Sequence, residues 1–333
     1  MLSVIIVNYR SAADICNCLQ SAQEHDDAGL FEWIVVDNQS HDNSKELICS
    51  RFPFVQWMDM GYNAGFARAN NAGIRAATGD CVLLLNPDTL ILDHAISRSY
   101  ALLSASPYIG CGVQLLNEDG SPQISGNYFM RGGLNYLLPL PYIGNLLKGL
   151  GNLAQVKRPN VPDASEEVEV DWINGAYLMV KKTAVDKAGL LDEDFFLYAE
   201  EAEWCSRLRK QGRLCVYGQL HVTHLQGESA NKTFGSTGKG YYNLFDRKGY
   251  QIMVSNFVRI RKQFGVLWFL FQLLAYSLAV PVFFIASFVE LLFRLRNPFQ
   301  EFGRAAGFTR NVGRLWLLAP TIISNKPHFY KVL

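Results

Sequence analysis

The stretch Leu83-Leu84-Leu85-Asn86-Pro87-Asp88-Thr89 constrains the fold of this chain more than any other, because an unbroken apolar run stops abruptly at a carboxylate. Entered through Thr78-Gly79-Asp80, the run reads as a strand buried on both faces, as in parallel sheets. Asp88 then falls just past the strand's C-terminal edge, where open α/β sheets bind their ligands. A carboxylate there, beside a proline-stiffened turn, suits a divalent cation that in turn holds a diphosphate. Asn-Pro-Asp is also an ordinary turn or cap sequence, so other segments must decide.

Residues 2–115 alternate strand and helix signals in the βαβ manner. Strands are predicted over 2–7, 33–36, 55–58, 81–85 and 109–115, and helices near 12–24, 43–51, 64–77 and 93–105. The fold class is therefore α/β. Between Ser121 and Asp171 the pattern turns irregular around an apolar piece, Leu134 to Ile143, which reads as a lid, a surface for an apolar partner or core filler. Strand character returns over 168–181, and Tyr198 to Gln211 reads as a helix ended by Gly212.

A formal charge of +1 and the lack of a basic block argue against a nucleic-acid partner. Seven scattered cysteines without a Cys-x-x-Cys pair support neither a disulfide framework nor a zinc site, and read as reduced thiols. The apolar start, Leu2 to Val7, is too short for a signal peptide and reads as a first strand.

From about Phe257 the composition shifts. The 27 residues between Lys262 and Glu290 carry no charge. At ~1.5 Å per residue they exceed a hydrocarbon core of ~30 Å, and no second apolar element is evident to cover them. Membrane contact is expected. Arg259, Arg261 and Lys262 precede the stretch, while Arg294, Arg296 and Arg304 follow it. A single span would put one cluster on the wrong side under the positive-inside tendency, and Pro281 could bend the helix. The expectation is monotopic or re-entrant attachment, with one full span as the alternative.

Polar clusters end the strands of the first half: Asn8-Tyr9, Asp37-Asn38, Asn63-Ala64-Gly65-Phe66 and Asn86-Pro87-Asp88. Each has an ordinary capping role available to it; together they line one rim of one sheet, a place for a nucleotide. Asp37 can accept the imide N–H of uracil or thymine, and Gly65 can let backbone approach a phosphate or sugar. No Walker A loop and no Gly-x-Gly-x-x-Gly follow the first strand, which argues against kinases and dinucleotide enzymes. A second constellation runs from Asp192 to Trp204 and holds Glu200, Glu201 and Glu203 within one helical turn. Buried together these acids would raise one another's pKa. They serve either as an acidic helix start or as a general base near a cation.

These residues resemble the inverting glycosyltransferases of family 2, with the GT-A fold (a Rossmann-like mixed sheet), and in particular their bacterial rhamnosyltransferase-like branch. The resemblance covers roughly residues 2–255, with 256–333 as a C-terminal membrane-associated helical region. It implies donor contacts from Val7, Asn8 and Tyr9 at the end of the first strand, and from Asp37 in the Val36–Ser44 loop. Asn63, Gly65, Phe66 and Asn70 lie in the segment similar to that beside the diphosphate sugar. Leu85-Asn86-Pro87-Asp88 resembles the family's Asp-x-Asp form, with Asn86 in place of the first acid, which makes Asp88 a ligand for Mg²⁺ or Mn²⁺. Trp172, Asn174 and Gly175 fall where that family faces its acceptor. The loop beginning His224-Leu225-Gln226-Gly227-Glu228 makes His224 a second metal ligand. Glu200-Glu201-Ala202-Glu203 aligns with the acidic motif that carries the base, with Glu201 first and Glu203 as runner-up. The absence of Gln-x-x-Arg-Trp sets the chain apart from processive synthases.

The implied activity is inverting transfer of a sugar, rhamnose first among candidates, from a UDP- or dTDP-sugar to a lipid-linked or growing glycan acceptor. It would serve cell-surface polysaccharide synthesis at the cytoplasmic face of the inner (plasma) membrane. Nucleotidyl transfer and a catalytically silent membrane scaffold are the alternatives.

Overall fold

The computed structural model describes residues 1–25, 28–128, 136–156, 160–226, 229–236 and 243–332. The chain divides into two compact units. The first comprises Met1–Phe129, Pro159–Phe196 and Glu200–Ser229; the second comprises Met130–Arg158, Leu197–Ala199 and Ala230–Leu333.

The first unit opens with β1 (Leu2–Asn8), α1 (Ala12–His25), β2 (Glu32–Asp37), α2 (Ser44–Arg51), β3 (Val55–Asp59), α3 (Gly65–Ala76) and β4 (Cys81–Leu85). It continues through β5 (Thr89–Ile91), α4 (Ala95–Ala105), β6 (Gly110–Leu116) and β7 (Gly126–Asn127). After α5 (Ile143–Leu153), which belongs to the second unit, come β8 (Asn160–Val161), β9 (Glu167–Val170), β10 (Trp172–Ile173) and β11 (Tyr177–Lys181). The unit closes with α6 (Lys182–Ala188), α7 (Glu200–Leu208) and β12 (Leu214–His224).

The main sheet runs β3-β2-β1-β4-β11-β6-β12-β5, with β9 paired to β12. Strands β1 to β4 are mutually parallel, and β11 enters antiparallel between β4 and β6. The all-apolar sequence of β4 is explained by burial of every one of its residues. Helix α1 covers one face of the sheet with Ile15, Leu19 and Ala22, spaced as one helical stripe. A small second sheet, β10-β7-β8, stands apart from it.

The predicted strands and helices of residues 2–116 are present with small shifts at their ends. The helix expected from Tyr198 begins instead at Glu200. Tyr198 and Ala199 have φ of +72° and +68°, and two left-handed residues in succession cannot belong to a right-handed helix. Strand β12 was not expected, nor was β5. All seven cysteines are free, and six are buried.

The second unit is helical: α5, α8 (Ser229–Phe234), α9 (Arg247–Phe264), α10 (Val266–Phe293) and α11 (Phe302–Ser324). Residues 255 and 256 lie within the single helix α9. Among the described residues α10 is the one helix long and apolar enough to cross a membrane. One of its sides is covered after all, because α9 and α11 pack against it through Phe257–Phe269 and Phe283–Phe308. Leu134 and Asn135 of the irregular apolar piece lie outside the described residues, as do Gly227 and Glu228.

Candidate active site

The carboxyl ends of β1, β2 and β4 share one edge because the strands are parallel and in register: Asn8 pairs with Asp37, and Ile6 with Leu85. Asp37 is buried and accepts from Asn8 Nδ2 (2.8 Å), Ser40 Oγ (2.5 Å) and the Ser40 backbone N–H (3.0 Å). Val7 and Tyr9, half-buried, flank Asn8 on the same strand end.

Asn38 ties this edge to the next cluster. Its Nδ2 donates to the Gly65 carbonyl (2.9 Å), and its Oδ1 accepts from the Ala64 N–H (3.1 Å). Asn63 Oδ1 accepts from the Gly65 N–H (3.2 Å), and Asn70 Nδ2 donates to the Phe66 carbonyl of its own helix (3.0 Å). Phe66 in turn donates its N–H to the Phe196 carbonyl (2.8 Å). Gly65 has φ +72°, and a Cβ built there would run into the Phe196 carbonyl oxygen. The glycine is therefore required for this contact with the protein's own backbone. Gly65→Ala combines a left-handed non-glycine residue with a backbone clash, and should cost about 2–4 kcal/mol in chemical denaturation. An unchanged denaturation midpoint would remove this requirement.

Because β11 is antiparallel to β4, the turn before it comes to the same edge, and the Asn86 N–H donates to the Ala176 carbonyl (3.0 Å). In that turn Asn174 Oδ1 accepts from the Ala176 N–H (3.0 Å). Trp172, two residues earlier, is paired with Asn127 in the small sheet. The Cβ and Cγ of Glu201 lie 3.5 Å from where a Gly175 side chain would begin, which places Glu201 beside this turn.

Strand β12 ends at His224, opposite Thr89 of β5. This sets His224 Nε2 3.4 Å from Asp88 Oδ1 and 3.2 Å from Asn86 Nδ2. Gln123, which sequence reasoning missed, sets the ring. Its Nε2 donates to the His224 carbonyl (2.6 Å) and to Asn117 Oδ1 (2.8 Å), which leaves Oε1 facing His224 Nδ1 at 3.0 Å. The proton then belongs on Nδ1, and the Nε2 lone pair faces Asp88. A carboxylate and an imidazole nitrogen so placed fit a divalent cation such as Mg²⁺ or Mn²⁺. No third His, Cys, Asp or Glu joins them among the described residues, so further ligands would come from substrate and water.

The three glutamates of α7 differ sharply. Glu203 receives Arg207 in a forked pair, Nε to Oε1 at 2.8 Å and Nη2 to Oε2 at 2.8 Å. Arg207 also donates to the Ala188 and Leu190 carbonyls, so this pair fastens the helix to the preceding loop. Glu200 is 3 % exposed, and its Oε2 has no hydrogen-bond partner. Burial, reinforced by the neighbouring Glu201 charge, pushes the Glu200 carboxyl well above the usual carboxylate range. Arg207 was the second residue missed. An (i, i+4) Glu–Arg spacing was its only sequence signal.

Residues 3–154 match the family model described as "Glycosyl transferase family 2". The low-salt glycan biosynthesis hexosyltransferase Agl10 of Haloferax volcanii is 31% identical over 229 residues, 66% of each chain. The N-acetylglucosaminyl-diphospho-decaprenol L-rhamnosyltransferase of Mycobacterium tuberculosis is 27% identical over 215 residues, 60% of this chain and 68% of that one. The chain thus spans about two thirds of the length of these relatives. The crystal structure of GalNAc-T7 with UDP, GalNAc and Mn²⁺ superposes with a TM-score of 0.50 at 14% identity, over 68% of this chain and 43% of that one. That likeness concerns the fold, which is GT-A. The chain belongs to glycosyl transferase family 2.

Proposed function

We propose that this chain moves one sugar, with inversion, from a UDP- or dTDP-sugar to a lipid-linked or growing glycan acceptor, at the cytoplasmic face of the plasma membrane. The observation that carries the reading is one unbroken rim. Asp37 is linked through Asn8 to β1, Asn38 to Gly65, and Asn86 to the turn before β11, beside which Glu201 lies. The decaprenol and L-rhamnose in the mycobacterial relative's name support a lipid-linked acceptor and dTDP-rhamnose as the first donor to try.

In this reading Asp37 accepts the imide N–H of the base, and Val7, Asn8, Tyr9, Asn63, Gly65, Phe66, Asn70 and Asn86 shape the rest of the donor crevice. Asp88 and His224 would hold Mg²⁺ or Mn²⁺, which when bound supplies counter-charge to the departing diphosphate. Trp172, Asn174 and Gly175 border the acceptor. Glu201 takes the acceptor hydroxyl proton while that oxygen bonds to the anomeric carbon. The bond from that carbon to the diphosphate breaks, and a nucleoside diphosphate leaves.

Nucleotide release from activated sugars without acceptor tests the whole reading. UDP or dTDP release that EDTA stops and Mg²⁺ or Mn²⁺ restores is the expected result. Release of a nucleoside monophosphate and a sugar phosphate would assign nucleotidyl transfer instead. No release from any activated sugar, with or without acceptor glycans, would make the chain a scaffold.

A further inference from the structure

In the second unit, α10 is covered on one side only. Phe269, Leu273, Tyr276 and Phe283 are buried against α9 and α11. The other side exposes Leu267, Phe271, Leu274, Leu278, Ile285 and Leu292, at steps of three, four or seven residues, which is the helical period. Leu267 is 82% exposed, Leu278 66% and Ile285 65%. At ~1.5 Å per residue this apolar stripe is about 38 Å long. A patch of that size marks an interaction surface.

Helix α11 decides how the stripe is used. It packs beside the central turns of α10: Phe308 meets the Tyr276 and Phe283 rings, and Trp316 Nε1 donates to Ser277 Oγ (2.9 Å). Between those two contacts α11 carries Arg310 and Arg314, both exposed. The Arg314 guanidinium stacks over the Tyr250 ring of α9, 4.1 Å from its centre. If α10 crossed a bilayer, Tyr276 to Phe283 would sit at mid-depth and take both guanidiniums into hydrocarbon. Ionised side chains are expelled from there unless paired. An α10 lying in the plane of the interface leaves both arginines with water.

We propose that α10 lies flat on an anionic phospholipid bilayer, its exposed stripe sunk into the acyl boundary, and does not cross it. The helix end matches that occupant. Phe293 and Leu295, 85% and 95% exposed, alternate with Arg294 and Arg296, which places apolar and basic groups together as a headgroup boundary requires. Helix α5 adds a second apolar element, exposing Leu146, Leu150 and Leu153. Tyr142, which precedes α5, holds it beside the C-terminal half of α10 by donating to Glu290 (2.6 Å). This inference rests on the membrane association proposed above and not on the transfer reaction.

The test uses the full chain and two readouts. The first is flotation with phosphatidylcholine vesicles, with and without phosphatidylglycerol. Wild type should float, about tenfold more weakly without the anionic lipid. The Leu274→Glu, Leu278→Glu, Ile285→Glu triple variant should stay in solution with an unchanged circular dichroism spectrum and unchanged donor hydrolysis. The second readout is the depth of spin labels placed singly at Phe271→Cys, Leu278→Cys and Leu292→Cys in a Cys49→Ser background, the other cysteines being buried. Equal depths, about 5–10 Å into the boundary, are expected. A label at 278 markedly deeper than those at 271 and 292 would mean that α10 spans, overturning the flat arrangement while leaving membrane association intact. A wild type that stays off vesicles and self-associates through the stripe would overturn both.

Discussion

Glu201→Gln should lose roughly 10²–10⁴ in turnover while binding the nucleotide as tightly as wild type. The substitution keeps size and hydrogen bonding but removes the basic oxygen that general-base catalysis needs. The structure separates the three acids of α7 in a way that makes the comparison sharp. Glu203 is bound at both oxygens by Arg207, so Glu203→Gln should act on stability. With the Glu203 side chain 8% exposed and Arg207 25%, loss of the charge should cost about 1–3 kcal/mol, with near-normal turnover in the folded fraction. Glu200 is buried and held toward its protonated form, so Glu200→Gln should leave turnover within a few-fold. Single-turnover rates and nucleotide titrations on the three variants make the check. A dead Glu203→Gln beside an active Glu201→Gln would transfer the role to Glu203, and normal rates in both would take α7 out of the chemistry.

Asp88→Ala should abolish transfer. Counter-charge on a leaving diphosphate is worth several kcal/mol, and at 1.36 kcal/mol per factor of ten a loss of about 4 kcal/mol leaves about one part in 10³. His224→Ala should fall short of that, because an imidazole brings a ligand but no negative charge. Gln123→Ala frees the His224 ring and should weaken metal activation while leaving nucleotide contacts alone. The measurement is donor hydrolysis against Mn²⁺ concentration. Full turnover by Asp88→Ala, or by wild type in EDTA, would rule out metal-assisted departure.

The first half of the fold was legible because its signals are local. Val4-Ile5-Ile6-Val7, Trp33-Ile34-Val35-Val36 and Leu83-Leu84-Leu85 are each long enough to announce a buried strand, and the polar residue that ends each run marks the sheet edge. Strand β12 was harder. Its first residues, Leu214 to Tyr217, are buried on both faces, while its last alternate between buried Leu220 and Val222 and half-buried His221 and Thr223. A strand that changes period midway matches no single pattern. Among the site residues, Asp88 and Glu201 stood out by charge in apolar or aromatic surroundings. Gln123 did not, since an amide in a Ser/Pro/Gln segment resembles any loop residue until the fold brings β12 beside it. Tyr198 and Ala199 carry no sequence mark of the left-handed backbone that delays α7.

The antiparallel entry of β11 between β4 and β6 has a temporal consequence. As the chain leaves the ribosome, β1 to β4 can pair through short crossovers, and residues up to 85 already contain Asn8, Asp37 and Gly65. Asp88 follows at once, yet the partner strand of β4 arrives about 90 residues later and His224 later still. For much of synthesis the edge that carries Asn8, Asp37 and Gly65 exists without His224 and without Glu201. With the roles proposed above for Asp88, His224 and Glu201, the nascent chain would hold a complete set of reacting groups only once β12 has joined the sheet.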